Sequence, residues 1–191
     1  GLIEAARALS SAEGFAVFAV SEAIELREYG FDQYLLLLEG FFSAYEVKVC
    51  SQMNISAVIH NTQQIDFINQ IKPKNPINIH LKINTGMNRL GFPSSTVKSL
   101  IQSLEKSPYI GNIILMTHFA NADEAIGVRD QLALFNKVVD DSFDRSVANS
   151  AAIIRYPETH MEWVRPGIML YGASPFEDQS SQDIGLQPVM S

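Results

Sequence analysis

A single cysteine, Cys50, occurs in 191 residues. It excludes an internal disulfide framework and a cysteine-based zinc site, and it fits a reducing compartment, so a cytoplasmic setting is expected. Long apolar runs are missing too. Stretches such as Tyr34 to Leu38 fall far short of the about 20 residues that cross a bilayer, so no membrane span is expected. Positive charge is scarce: 14 Lys and Arg stand against 21 Asp and Glu, a net charge of −7, with no basic cluster. That balance argues against a nucleic-acid partner. No basic stretch leads into an apolar one at the start, so no signal peptide is read there. Walker, G-x-S-x-G and G-x-G-x-x-G patterns are all absent. His60, His80, His118 and His160 lack a carboxylate partner at ligand spacing, so no metal site is expected.

What is present is apolar and ordered. Hydrophobic residues make up 47% of the chain and charged residues 18%, which excludes disorder. The length supports one sizeable core, and one domain over residues 1–191 is expected. Short apolar runs at Phe15–Val20, Tyr34–Leu38, Ile55–Ile59, Ile77–Ile83, Ile113–Thr117, Ser146–Asn149 and Trp163–Tyr171 read as strands. Helical periodicity occupies Glu22–Tyr29, Thr62–Ile71, Ser94–Glu105 and Val128–Asp140. Ser21-Glu22 and Ser94-Ser95-Thr96 offer capping groups, Pro73 and Pro93 act as breakers, and Gly14, Gly30 and Gly111 precede strands.

Continuous apolar strands alternating with helices predict a parallel sheet buried on both faces. Seven such units point to a (β/α)8 TIM-type barrel lacking its first strand, with an open doubly wound sheet as the alternative. The opening already has helical spacing at Leu2, Ile3, Ala6 and Leu9. Leu186–Ser191 reads as entry into an extended segment, so both ends look cut and a piece of a longer protein is expected.

In a barrel, the C-terminal ends of the strands carry the chemistry. Lys82 interrupts an apolar strand. Either it points inward, where its charge must be paired or removed, or it faces out and snorkels between helices. Arg89 follows in a glycine-flanked loop, where a guanidinium can fork onto a carboxylate or a phenolic oxygen, or simply lie at the surface. His118 ends the next strand, at a place for stacking or proton exchange as well as for a structural role. After the last two strands, Ser150, Gly167 and Ile168 can supply donors to a phosphate, whereas Pro166 can only shape the turn.

These segments resemble alanine racemase. The matching motifs are Leu81-Lys-Ile-Asn-Thr-Gly-Met-Asn-Arg-Leu-Gly91, Thr117-His-Phe-Ala-Asn-Ala-Asp123, Asn149-Ser-Ala151 and Val164-Arg-Pro-Gly-Ile-Met-Leu-Tyr-Gly172. Looser similarity covers Leu38–Phe42 and Ala57–Asn61. The resemblance implies a pyridoxal 5′-phosphate isomerase, built as a barrel plus a C-terminal β domain. Such an enzyme interconverts L- and D-alanine by a two-base mechanism on a cofactor aldimine, and works as a homodimer. It implies that Arg165 bonds the pyridine nitrogen and that Ser150, Gly167 and Ile168 hold the phosphate beside Asn149. Arg89 would contact the phenolic oxygen and the substrate carboxylate, Lys82 would be a carbamylated lysine orienting Arg89, and His118 would sit behind the ring.

Two departures stand out. Asn84 occupies a position where the motif usually has Asp. The family's Schiff-base lysine, from a Lys-x-x-x-Tyr-Gly-His-Gly motif whose last glycine Gly1 resembles, and its catalytic tyrosine have no counterpart in these residues. The 191 residues alone are therefore expected not to racemise alanine. A broader-specificity amino-acid racemase and a non-catalytic pyridoxal-phosphate carrier are the alternatives.

Overall fold

The computed structural model describes residues 1–189. In chain order its elements are helix α1 (Leu2–Ala8), strand β1 (Gly14–Val17), α2 (Val20–Glu28), β2 (Tyr34–Leu37), α3 (Ala44–Gln52), β3 (Ser56–Ile59) and α4 (Thr62–Ile71). There follow β4 (Ile77–Asn84), β5 (Phe92–Pro93), α5 (Val97–Leu104), β6 (Ile110–Met116), α6 (Arg129–Val138), β7 (Arg145–Ser146) and α7 (Ser150–Arg155). Two compact units divide these elements: Gly1–Lys82 with Ser99–Ile113, and Ile83–Lys98 with Ile114–Ser191.

The first unit is a run of parallel strands. Gly14 to Val17 pair with Tyr34 to Leu37, Leu36 and Leu37 with Ser56 and Ala57, and Ala57 to Ile59 with Ile79 to Leu81. The start of β6 joins the start of β4: Ile77 donates its N–H to the Tyr109 carbonyl at 3.0 Å, and Asn78 Oδ1 accepts from Asn112 N at 2.9 Å. Consecutive residues Leu35, Leu36 and Leu37 are all buried, as are Ala57, Val58 and Ile59. Burial on both faces explains why these strands read as unbroken apolar runs. Each fully buried leucine contributes about 1.5–3 kcal/mol.

Polar groups fix the joints of this unit. Asn61 Oδ1 accepts from Gln64 N at 3.0 Å and caps α4, while Ser43 Oγ accepts from Glu46 N at 3.3 Å and caps α3. Arg27 donates to four carbonyls, those of Met53, Phe31, Gln33 and Asn54, at 2.6–2.9 Å. It thereby fastens the turns that lead into β2 and β3. Gly40 takes φ +69°, and a Cβ there would overlap the Val58 carbonyl and the Gln64 amide, so only glycine fits. Cys50 is buried, and desolvation pushes its thiol up to about 12, leaving it a small core group rather than a nucleophile.

In the second unit, Leu115 and Met116 of β6 pair in parallel with Arg145 and Ser146 of β7, and Ile83 and Asn84 of β4 with β5. Its core is built on Phe119, Phe135, Val147, Ala148, Ala151 and Ala152, all buried. Arg155 lies 3.6 Å over the Phe176 ring and bonds Asp178 at 2.6 Å and the Asp123 carbonyl at 2.9 Å, holding the later segment.

Several details differ from the sequence reading. Trp163–Tyr171 is not a strand. Trp163 N–H reaches the Arg145 carbonyl and Arg165 N–H the Ala148 carbonyl, with a single bridge from Trp163 to Ser146. The next N–H in that alternation, from Gly167, bonds Ser150 Oγ instead, and Ile168–Tyr171 closes into a 3-10 turn. Pro166 has no N–H to offer on the other side. Helix α3 and the two-residue β5 were not anticipated. Ser21 does not cap α2. The Glu22 carboxylate accepts from the N–H groups of Phe18 at 3.1 Å and Ala19 at 3.0 Å. Before α5, Thr96 Oγ1 donates back to the Pro93 carbonyl at 2.9 Å. Gly14 and Gly111 lie inside strands rather than before them. The extended entry expected at Leu186–Ser191 lies in part outside the described residues. Among the described residues no helix is long and apolar enough to cross a membrane.

Candidate active site

The second unit gathers most of the candidate residues where β6 and β7 end. Arg165 is the centre of the group. Its Nη1 donates to Ser146 Oγ at 2.6 Å, and its Nη2 to the carbonyls of Thr117 at 2.6 Å and Val147 at 3.4 Å. Ser146 and Thr117 are both buried. No carboxylate pairs with this guanidinium among the described residues. Burial alone pulls it down to about 10, which still leaves it protonated at neutral pH. Both terminal nitrogens are engaged, and Nε and the second N–H of Nη1 are left without a protein acceptor among the described residues.

Beside it, Asn149 caps α7. Its Oδ1 accepts from Ala152 N at 3.0 Å, and its Nδ2 donates to the Phe119 carbonyl at 3.3 Å. That second bond ties the cap to the residue after His118, which is half-buried. Ser150 is buried, and its Oγ accepts from Gly167 N at 2.8 Å. Gly167 and Ile168 are exposed. The structure thus brings together Asn149, Ser150, Arg165, Gly167 and Ile168.

Arg89 is exposed, in a loop whose shape is set by Asn84. Asn84 Oδ1 accepts from Gly86 N and Asn88 N, each at 3.1 Å, and its Nδ2 donates to Asn88 Oδ1 at 3.0 Å. Asn88 sits at φ +56°. Asn84 is thus a loop organiser, and an aspartate could accept the same two N–H bonds. Asn84→Asp is expected to cost under about 1 kcal/mol, since the Asn88 amide can turn its N–H toward the new oxygen. Asn84→Ala, which strands both N–H groups, is expected to cost about 1–2 kcal/mol in urea denaturation.

Lys82 belongs to the first unit and is 7% exposed, so its ammonium is not snorkelled into solvent. Near it, His60 Nε2 lies 3.0 Å from the Glu39 carbonyl and Nδ1 lies 3.3 Å from Asn61 Nδ2. With Asn61 donating to Nδ1, the ring is neutral and carries its proton on Nε2. Desolvation holds the His60 pKa below its usual value, and the Lys82 charge adds to the shift. Among the described residues no group of three His, Cys, Asp or Glu is placed to hold a metal ion.

A family model for the alanine racemase N-terminal domain matches residues 1–175. The chain belongs to the alanine racemase family. It is 48% identical over 197 residues to alanine racemase of Nitrosomonas europaea, covering 100% of this chain and 54% of that protein. It is 44% identical over 186 residues to the catabolic alanine racemase of Klebsiella aerogenes, covering 96% and 52%. The crystal structure of biosynthetic alanine racemase from Pseudomonas aeruginosa superposes with a TM-score of 0.94 at 38% identity, over 98% of this chain and 54% of that one. The chain spans about half the length of the curated relatives it matches. The (β/α)-barrel class expected from the sequence is the class of this alanine racemase domain.

The motifs pointed to Arg165 and Ser150 but not to the groups that hold Arg165. Ser146 is the one hydroxyl in an otherwise apolar strand end, and Thr117 directly precedes His118. The Ser146 hydroxyl at a strand terminus is a signal the sequence offers, whereas the support from Thr117 comes from a backbone carbonyl, which leaves none. Gln131 was also missed: it is buried and its Oε1 accepts from Ala120 N at 3.0 Å, bracing the His118 loop from α6.

Proposed function

We propose that this chain is the barrel portion of a pyridoxal 5′-phosphate-dependent alanine racemase that interconverts L- and D-alanine in the cytoplasm as a homodimer. The observation that carries the reading is Arg165, a half-buried guanidinium fixed through both terminal nitrogens, with its Nε among the N–H groups left to donate. The residues fit the cofactor on two further counts. Ser150 Oγ and the Gly167 N–H, which now satisfy each other at 2.8 Å, form a small polar cradle. Gly167 and Ile168 are exposed, so an anion can reach this turn.

When bound, the cofactor supplies an electron sink that eases removal of the substrate Cα proton. Arg165, protonated at neutral pH, would donate to the ring nitrogen and keep that nitrogen from taking a proton of its own. That donor would temper the sink and limit side reactions. Ser150, Gly167 and Ile168 would hold the phosphate, with Asn149 shaping the turn beneath them. Arg89 would bind the substrate carboxylate. His118 would bear on the ring from behind. The two bases that move the Cα proton lie outside these residues. The test is a racemisation assay of the full-length protein with L-alanine. Formation of D-alanine supports the reading, and its absence from a cofactor-loaded protein overturns it.

Lys82 would carry a carbamate: its neutral Nζ forms an N–C bond to carbon dioxide and releases a proton. The sign of the effect on His60 is then fixed. The cation lowers the His60 pKa, whereas a carbamate anion would raise it. Adding bicarbonate is expected to move the His60 titration upward when followed by proton NMR. An unmoved titration would remove the carbamate.

A further inference from the structure

Thr117 makes more contacts than a strand-end residue needs. Its N–H donates to the Ser146 carbonyl at 3.2 Å, and its carbonyl accepts from Arg165 Nη2 at 2.6 Å. Its hydroxyl donates to the Ile83 carbonyl at 2.9 Å and lies 2.7 Å from Thr85 Oγ1. A hydroxyl carries one hydrogen. Thr117 spends its own on Ile83, so Thr85 must be the donor in the shorter bond. Thr85 and Thr117 are both buried, 5% and 1% exposed, and water does not replace these bonds. Thr85 immediately follows Asn84 and opens the loop that carries Arg89. The Thr117 peptide, in turn, is one of the supports of Arg165.

We propose that Thr117, with Thr85 as its partner, is the positioning residue that locks the Arg89 loop and the Arg165 guanidinium into one frame. The Thr117 hydroxyl fixes the orientation of its own peptide, and that peptide fixes Arg165. Neither threonine is assigned a contact with the cofactor. Their effect is on where the Arg165 N–H points and on how firmly the Arg89 loop is rooted. The inference rests on the assignment of Arg165 to the cofactor ring.

The experiment titrates full-length, cofactor-stripped protein with pyridoxal 5′-phosphate and follows the visible absorption band across pH. The proteins compared are wild type, Thr117→Val, Thr117→Ser and Thr85→Val, each also melted without cofactor. Thr117→Val keeps the shape of the side chain and removes the hydroxyl. It is expected to weaken cofactor binding roughly tenfold or more and to move the pH at which the band titrates. Thr117→Ser is expected to restore both. Thr85→Val is expected to fall between, because Thr117 retains its bond to Ile83. A merely structural hydroxyl would lower the melting temperature and leave the pH dependence of the band in place, which overturns the proposal. Thr117→Ser as weak as Thr117→Val overturns it as well. If Thr117→Val does not fold, wild-type affinity in Thr85→Val overturns it. Wild type that binds no cofactor refutes the functional reading itself, and this inference with it. Wild type that binds while Thr117→Val binds equally well refutes the inference alone.

Discussion

Replacing Arg165 with alanine is expected to lower racemase turnover by roughly 100-fold or more, the usual cost of removing one preorganised donor from an active site. Rate is only half of the expected result. Without the guanidinium, the ring nitrogen of a bound cofactor would be open to a proton, and side reactions of the substrate would gain on racemisation. Pyruvate from transamination should therefore rise relative to D-alanine, which chromatography of the product mixture reads directly. Arg165→Lys should recover little, because a single ammonium cannot reach Ser146 Oγ and the Thr117 carbonyl and still present a separate donor to the ring. Stability should respond far less than activity. The substitution strands three oxygens, but it also relieves the burial of a cation that has no carboxylate partner among the described residues. Unchanged product partitioning in Arg165→Ala would show that this side chain does not govern the ring.

Arg27→Ala is expected to have the largest effect on stability. One guanidinium serves four carbonyls in the turns after α2 and α3. Charge-assisted bonds of this kind contribute about 1.5–3 kcal/mol each when buried. Arg27 is half-buried, and water can replace it at the exposed Asn54 carbonyl. The net loss is therefore placed at about 2–4 kcal/mol. The expected signature is a lower urea midpoint with an unchanged slope. Arg27→Lys should lose most of the same stability, since three ammonium hydrogens on one atom cannot span four separated carbonyls. A midpoint within error of wild type would show that the turns hold without the clamp.

The sequence carried the strand–helix alternation well where one signal dominated. The spacing predicts a helix over Thr62–Ile71 and α4 occupies that range, with Asn61 capping it ahead of an apolar stripe that buries Ile68. Helix α3 was missed because Ala44–Gln52 mixes β-branched Val47 and Val49 with scattered polar groups, and its burial of Val47, Val49, Cys50 and Ser51 depends on tertiary neighbours. Trp163–Tyr171 failed in the opposite way. It has the composition of a strand, but the Gly167 N–H is drawn to Ser150 Oγ and the ladder ends. The site divides along the same line. Arg165, Ser150 and Gly167 stand in long motifs and could be singled out by position. What holds Arg165 could not, since Ser146, Thr117 and Thr85 are ordinary small residues whose importance comes from a bonding pattern across separated strands.

The central claim is that Arg165, Ser150 and Gly167 form the cofactor cradle. A crystal structure of the full-length protein grown with pyridoxal 5′-phosphate tests it most directly. The account predicts the ring nitrogen within hydrogen-bond distance of Arg165 Nε, and the phosphate accepting from Ser150 Oγ and the Gly167 N–H in place of the bond they now share. A cofactor bound elsewhere, with Ser150 and Gly167 still bonded to each other and Arg165 Nε facing no ring, would contradict it.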